Sequence, residues 1–369
     1  MKFIQAKNTL RLSVLLILFT SLALTSGACG RAYSQQELPS YWSQGLGTHN
    51  FGVTCFANAT HKLLWSYFRD LGTAPSSTGT ILGNQFNQLM SRMNSGLSDA
   101  HHERQSSNHG FKDLLSDFFE EFRNQEALHG SWAPITFHVQ DGAEDYLTRL
   151  NNYTLLFPQS FGIQKREEFI YSSDHSRTVT PYATNGELAL SLNIHDAGIT
   201  TLQQALDYDL RQINDGRMSN HPLTGVLESI SSQSHYILDR ALSSFPPVII
   251  FKLNRIIHQA GTTIKLPKDV TPNLLLNLPF ERIETSPLLA DHIVRHEDTQ
   301  YELKSIVVHH GSARGGHYLT YIRNSVEEWE IHNDTEVQLV RDVSNIQRIQ
   351  EDIHSSGYLF LYTLRAPLP

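Results

Sequence analysis

Cysteine is scarce: the 369-residue chain has two, Cys29 and Cys55. Two thiols cannot build a four-cysteine zinc site, and they are too few for the disulfide framework of a small secreted domain. Runs of Lys and Arg are also missing, and the net charge is -8 with a pI near 6.2. That balance argues against nucleic acid as the main partner, because a phosphate backbone calls for clustered cations. Nineteen histidines are present, yet none, His101-His102 and His309-His310 included, falls at metal-ligand spacing. No metal or other cofactor is expected. No apolar run reaches the roughly 20 residues a membrane-spanning helix needs. What is there is ordinary globular stock, 40% hydrophobic and 18% charged, enough to bury a sizeable core.

The first residues stand apart. Lys2, Lys7 and Arg11 precede the apolar stretch "LSVLLILFTSLALT", which gives way to "SGACG". This is the region order of a secretory signal, assigned to residues 1–28, with an uncleaved anchor as the plainer alternative. Ser26-Gly27-Ala28-Cys29 also resembles a bacterial lipoprotein cleavage box, with Ser26 where Leu usually stands. On that reading Cys29 carries lipid and attaches the protein to a membrane; otherwise the chain is secreted. Residues 29–43 read as a linker, and residues 44–366 as one domain.

Within that domain the periodicity changes. Apolar residues at helical spacing over 55–70, 81–93, 111–123 and 143–156 predict a helical front half, with a surface loop at 94–110. From residue 188 on, "LALSLNI", "PPVIIFKLNRII", "YELKSIVVHH", "HYLTYIRN" and "GYLFLYTL" read as strands, and "TTLQQALDYDL" as a helix with a threonine cap. Helices followed by an antiparallel sheet predict an α+β architecture.

Two stretches carry the chemistry. Cys55 lies where Asn50, Gly52 and Thr54 give way to a helical pattern, and a helix N-terminus or a neighbouring imidazole turns a thiol into a nucleophile. A small buried residue is the plain alternative. Far along the chain, Gly315-Gly316 precedes His317, which opens a strand. A hairpin between 317–324 and 328–332 brings Asn333 and Asp334 back beside His317, which is what a base needs from an orienting partner. A hairpin with a polar end satisfies the same spacing.

Together these stretches resemble the ubiquitin-specific proteases, papain-like deubiquitinating cysteine peptidases. Asn50-Phe51-Gly52-Val53-Thr54-Cys55-Phe56-Ala57-Asn58, after Gly45-Leu46, is similar to their first box. Val308-His309-His310-Gly311, Gly316-His317-Tyr318, then Trp329, Asn333, Asp334 and Val337 are similar to their second. "FPPVIIFKLNRI" and "GYLFLY" resemble two further family strands. The resemblance implies a papain-like fold with a helical thumb (about 44–156) and an antiparallel palm and fingers (about 157–366). It implies Cys55 as nucleophile, His317 as base, Asn333 as orienter with Asp334 sharing or assuming that role, and Asn50 as oxyanion donor. Ubiquitin or its conjugates would be the partner of a monomer, cleaved after the terminal Gly-Gly. A module that binds ubiquitin but turns over weakly, or a protease for another ubiquitin-like modifier, are the rival readings. For an exported enzyme the substrate would be ubiquitin of a host cell.

Departures from the family pattern are local. Val53 replaces a usual Asn or small residue. His61-Lys62 puts polar groups where Leu-Gln is usual. "QDGAEDYL" only approximates the family's middle box, and Asp141 and Asp145 are expected either near the basic tail of the substrate or simply as solvated helix charges. Gly315 and Gly316 are expected either to line the channel for that tail or simply to permit a tight turn. The two C-x-x-C pairs of many family members are missing, so fingers over about 155–245 are expected to hold by packing alone.

Overall fold

The computed structural model describes residues 48–71, 79–98, 104–129, 135, 142–154, 163–179, 188–211, 218–238, 245–259, 261–286, 289–313, 315–325 and 328–365. The leader, Cys29, the linker and Asp141 lie outside the described residues.

Helix α1 (Cys55–Leu71) is the axis of the front half. Nearly every side chain from Thr54 to Phe68 is buried, the pattern of a helix enclosed on all sides rather than an amphipathic surface helix. On one side it meets α2 (Ile81–Ser98), α3 (Arg104–Leu128) and α4 (Ala143–Thr154). Phe86, Phe118, Phe122, Tyr146 and Leu147 fill that core. The segment expected as a loop at 94–110 is largely helical at its ends, because α2 runs on to Ser98 and α3 begins at Arg104. On its other side α1 faces the sheet, to which polar atoms stitch it. Thr320 Oγ1 donates to the Ala59 carbonyl at 2.9 Å, and the Ser66 and Ser305 hydroxyls meet at 2.7 Å. Each satisfies a polar group that burial would otherwise penalise.

The main sheet runs β13-β12-β11-β10-β9-β5-β1-β2. In chain order these are β1 (Ile163–Tyr171), β2 (Arg177–Val179), β5 (Leu227–Leu238), β9 (Leu275–Ser286), β10 (Leu289–Ser312), β11 (Gly315–Ser325), β12 (Glu328–Asn333) and β13 (Glu336–Val340). Three further strands extend it: β14 (Gly357–Leu364) pairs with β10 and with β6 (Val248–Leu253), which pairs with β3 (Ala189–Leu192). Most pairings are antiparallel, as expected; β3–β6 and β5–β9 are parallel. The short strand β4 (Met218–Asn220) pairs with β5, and β7 (Ile256–Gln259) with β8 (Thr262–Lys265) makes a separate hairpin.

A second core lies on the opposite face, beneath α5 (Leu202–Asp209) and α6 (Val343–Ser356). Thr201 caps α5 with a reciprocal capping box to Gln204, as the sequence predicts. Arg255, fully buried, donates to the carbonyls of Gly357, Lys268 and His354. It thereby ties the segment between β6 and β7 to the junction of α6 and β14.

The fingers do not hold by packing alone. The turns after β1 and β4 meet at the buried His221 ring. Its Nδ1 accepts from the N–H groups of Leu223 and Thr224 (3.2 and 3.3 Å), and its Nε2 faces Ser176 Oγ (2.9 Å) and Asp174 Oδ2 (3.2 Å). Glu228 accepts from Ser173 N–H at 2.7 Å and from the Ser172 and Ser173 hydroxyls. A knot of polar bonds joins the two turns, and no spacing rule in the sequence marks it.

Candidate active site

Cys55 opens α1, and the turn before it is built by Asn50. Its side-chain oxygen accepts from Gly52 N–H (3.0 Å), Thr54 N–H (3.1 Å) and the Thr54 hydroxyl (3.2 Å). Gly52 sits at φ +115°, a conformation that L side chains avoid. The turn therefore delivers the Cys55 sulfur at a helix N-terminus, where backbone N–H groups lack partners within the helix and favour negative charge.

His317 reaches the same place from the sheet. β10 and β11 pair in the register His309↔Tyr318, His310↔His317 and Gly311↔Gly316. A Cβ on Gly316 would overlap the His310 carbonyl and stand 2.7 Å from His309 Nε2. Glycine at 316 thus answers to close approach of the two strands immediately before His317. Gly315 pairs with Ser312 in the same hairpin. His309, buried, stacks on Tyr318 with ring centroids 4.3 Å apart. Burial, with Lys265, His310 and His317 nearby, pushes its pKa down to about 4, so it is a neutral wall of the site. Lys265 braces the hairpin from outside through the carbonyls of His309 and Gly311.

β12 then brings Asn333 back. Its Oδ1 lies 2.6 Å from His317 Nε2, which fixes the ring and leaves Nδ1 for the sulfur. A side-chain hydrogen bond to Cys55 is the largest cause that pushes the His317 pKa up, to about 9. Desolvation opposes the rise, while the Asn333 hydrogen bond and the charges of Cys55 and Asp334 support it. The arrangement favours the imidazolium form of His317 beside the Cys55 sulfur. Cys55, His317 and Asn333, apart by up to 278 positions in sequence, come together as the hairpin argument requires.

Asp334 is placed differently from the expectation that it could orient His317. Both carboxylate oxygens are taken: Oδ2 by Asn50 Nδ2 and Oδ1 by Asn58 Nδ2, each at 2.7 Å. Its φ of +50° makes the turn from β12 to β13, a conformation Asp tolerates better than most residues. Its carbonyl also accepts from Thr48 N–H at 2.7 Å. Asp334 is therefore a clamp on the segment before Cys55, and its field reaches His317 only through space. Asn58, which the sequence marks only as a member of the first box, is half of that clamp.

Of the carboxylates expected near the substrate tail, Asp145 is exposed on the first turn of α4. Its neighbour Glu144 pairs with Lys252 of β6. His61 and Lys62, the polar departure on α1, both point inward. His61 sits among Phe86, Phe118, Phe119 and Tyr146, with Nε2 2.6 Å from the Tyr146 hydroxyl. Burial drives its pKa down to about 3, so it is a neutral core group. Among the described residues no group of three or more His, Cys, Asp or Glu could hold a metal ion.

Comparison with known proteins gives the same architecture. The family model described as "Ubiquitin carboxyl-terminal hydrolase" matches residues 46–362. Among solved structures, one of the SAGA Ubp8/Sgf11/Sus1/Sgf73 DUB module bound to ubiquitin aldehyde aligns with a TM-score of 0.58 at 16% identity. That alignment covers 98% of this chain and 76% of the other. A SAGA DUB module bound to monoubiquitin gives 0.56 at 16% identity with the same coverage. The Ubp8-Sgf11-Sgf73-Sus1 SAGA DUB module gives 0.54 at 17%, over 97% and 75% of the two chains. At such identity the likeness speaks for the fold, which is α+β and papain-like, of the ubiquitin-specific-protease type.

Proposed function

This chain belongs to the ubiquitin carboxyl-terminal hydrolase family, and from that premise we propose that it cleaves the bond after the C-terminal Gly-Gly of ubiquitin, with Cys55 as nucleophile. The observation that carries the proposal is His317 held between two partners, Asn333 Oδ1 at 2.6 Å and the Cys55 sulfur.

The geometry supports the following course. The Cys55 thiolate attacks the terminal glycine carbonyl carbon, and the C=O electron pair moves to oxygen. Asn50 Nδ2 has one N–H on Asp334 and a second to give that oxygen, beside the Cys55 backbone N–H. Fixed donors of this kind are worth ~100- to 1,000-fold in rate. Collapse expels the amine, which takes the proton from His317 and leaves a thioester. Water then attacks the thioester with His317 accepting its proton. The acid product leaves, and the displaced sulfur and the imidazolium restore the starting pair. Asn333 holds the ring in place throughout, and Asp334 holds Asn50.

The solved structures of ubiquitin-bound modules support ubiquitin as the partner. We extend the proposal to an exported enzyme acting on host ubiquitin, on the strength of the basic-then-apolar leader. Fractionation that finds the protein only in its own cytoplasm, with residues 1–28 intact, refutes that extension.

Turnover of ubiquitin, of other ubiquitin-like modifiers and of short Gly-Gly peptides, each carrying a C-terminal fluorophore, tests the central reading. Release from ubiquitin far above the rest, lost in Cys55→Ala, is the expected result. Preference for another modifier would reassign the substrate, and retention of ubiquitin without release would make the protein a binding module.

A further inference from the structure

The hairpin end that carries His317 has little of its own to hold it. Gly311, at φ +106°, with Gly315 and Gly316 flanks the turn between β10 and β11, and none of them has a side chain to pack. His317 follows directly. Where its ring stands against Cys55 therefore depends on what grips the two strands from outside the turn. One such grip comes from α6, to which the mechanism above gives no part. Asp352 Oδ1 and Oδ2 lie 2.7 and 2.9 Å from His310 Nε2. The Tyr321 hydroxyl donates to the same Oδ2 at 2.6 Å. His310 is the cross-strand partner of His317, and Tyr321 lies four residues beyond His317 on β11.

A single carboxylate thus holds one side chain from each strand of the catalytic hairpin, and bonds to a carboxylate are the short, strong kind. Resting on the proposed reaction, we propose that Asp352 is a positioning residue: through His310 and Tyr321 it sets where the β10–β11 hairpin presents His317 to Cys55.

The helix is a firm support for that task. Ile349 and Ile353 sink into the core beneath it. The His354 carbonyl, two residues past Asp352, accepts from Arg255 Nη2 and from Val270 N–H, each at 2.9 Å. α6 then runs straight into Gly357 of β14, which pairs with Val308 of β10, two residues before His310. Lys265 grips the same stretch of β10 from β8 through the His309 and Gly311 carbonyls, but it touches backbone on one strand only. Asp352 is the group that spans both. Tyr321 is fully buried, so its hydroxyl needs the partner that Asp352 supplies. A carboxylate with a merely structural part would keep α6 on the sheet and leave the rate per active site alone.

The test is kcat, KM and melting temperature with the ubiquitin fluorophore substrate, active sites being counted by covalent capture at Cys55. The variants are Asp352→Ala, Asp352→Asn, His310→Ala, Tyr321→Phe and the double Asp352→Ala/His310→Ala. A misplacement of about 1 Å remote from the chemistry costs ~100-fold, so partial loosening in Asp352→Ala should lower kcat per active site roughly tenfold, with KM unchanged. Asp352→Asn, whose amide oxygen can still accept from Tyr321, should keep part of the rate. His310→Ala and Tyr321→Phe, each losing one of the two partners, should each lose part of it, and the double should be no slower than Asp352→Ala. The His310 side chain is 38% exposed and tolerates truncation, so His310→Ala decides the matter if Asp352→Ala fails to fold. The alkaline limb of kcat/KM should also move to lower pH in Asp352→Ala, because the hydrogen bond with Cys55 is the largest cause that raises the His317 pKa. A lower melting temperature in Asp352→Ala with kcat per active site and the limb both unchanged overturns the proposal and leaves the Cys55 chemistry intact, as does a loss confined to KM. A wild type that cleaves nothing overturns both.

Discussion

Asp334 offers the sharpest test of how the site is assembled, because its position beside Asn333 invites one role and its contacts define another. Replacing it with Ala removes two carboxylate hydrogen bonds of 2.7 Å, one from Asn50 and one from Asn58. Bonds to a charged acceptor contribute about 1.5–3 kcal/mol each. The loss should not unhinge the turn, since Asn50 Oδ1 keeps its three bonds to Gly52 and Thr54. It frees the Asn50 amide plane to tilt away from the developing oxyanion. Removing such a donor outright costs ~100- to 1,000-fold, and Asn50→Ala also strips the turn of three acceptor bonds, so it should cost at least that much. Asp334→Ala should fall below it, at about 10- to 100-fold. Both losses should appear in kcat with little change in KM, because the donor acts on charge present only in the transition state. The assay is steady-state release of a fluorophore from the ubiquitin C-terminus for the two single variants and the double. If Asp334 works through Asn50, the double variant is no slower than Asn50→Ala alone. Effects that multiply would refute the reasoning and give Asp334 a role independent of Asn50.

The His317 pKa is raised to about 9, with the Cys55 and Asn333 bonds among its causes. The imidazolium is therefore complete at low pH and lost as pH rises through that value, so kcat/KM should fall on the alkaline side near pH 9. In Asn333→Ala one raising cause is gone, and the alkaline limb should move to lower pH; an unmoved limb argues against the contact. Gly316→Ala forces a methyl group onto the His310 carbonyl and His309. It should abolish turnover and lower the melting temperature, whereas Gly52→Ala, which meets nothing within 4 Å, should be limited to the strain of its φ. In the fingers, His221→Ala takes the acceptor from the Leu223 and Thr224 N–H groups; both residues are exposed, so each lost bond costs about 0.5–1.5 kcal/mol. Limited proteolysis should then cut first between residues 171 and 228, with Cys55 chemistry on small peptides retained.

Much of this site was legible before any coordinate, because its parts announce themselves locally. A cysteine after Asn50, Gly52 and Thr54 and before an apolar period marks a helix start. A histidine after two glycines, with a polar pair sixteen residues on, marks a hairpin that closes on itself. Both follow from short-range rules, and α1 and the β11–β12 pairing match them. What escaped was non-local. Asp334 and Asn58 are 276 positions apart and Arg69 and Glu330 are 261, and no periodicity links them. His61 and Lys62 look like polar intrusions on an apolar helix turn. Their aromatic and charged surroundings come from α2, α3, α4 and β12, which only the fold brings near. The strands of the fingers were missed for another reason: "QKREEFIY" and "ESISSQSHYI" carry little of the apolar alternation that betrays a strand. Their pairing along nine positions of β1 and β5 follows the backbone, and the burial of Ile170, Tyr171 and Ile230 comes at its end.

The account stands most directly on covalent capture. Ubiquitin bearing an electrophile in place of its C-terminal carboxylate is mixed with wild type, Cys55→Ala and His317→Ala, and the modified residue is located by peptide mass. One ubiquitin attached through Cys55 in the wild type, none in Cys55→Ala and sharply slowed capture in His317→Ala is the predicted result. Ubiquitin bound but never bonded, or bonded elsewhere in the chain, would contradict it.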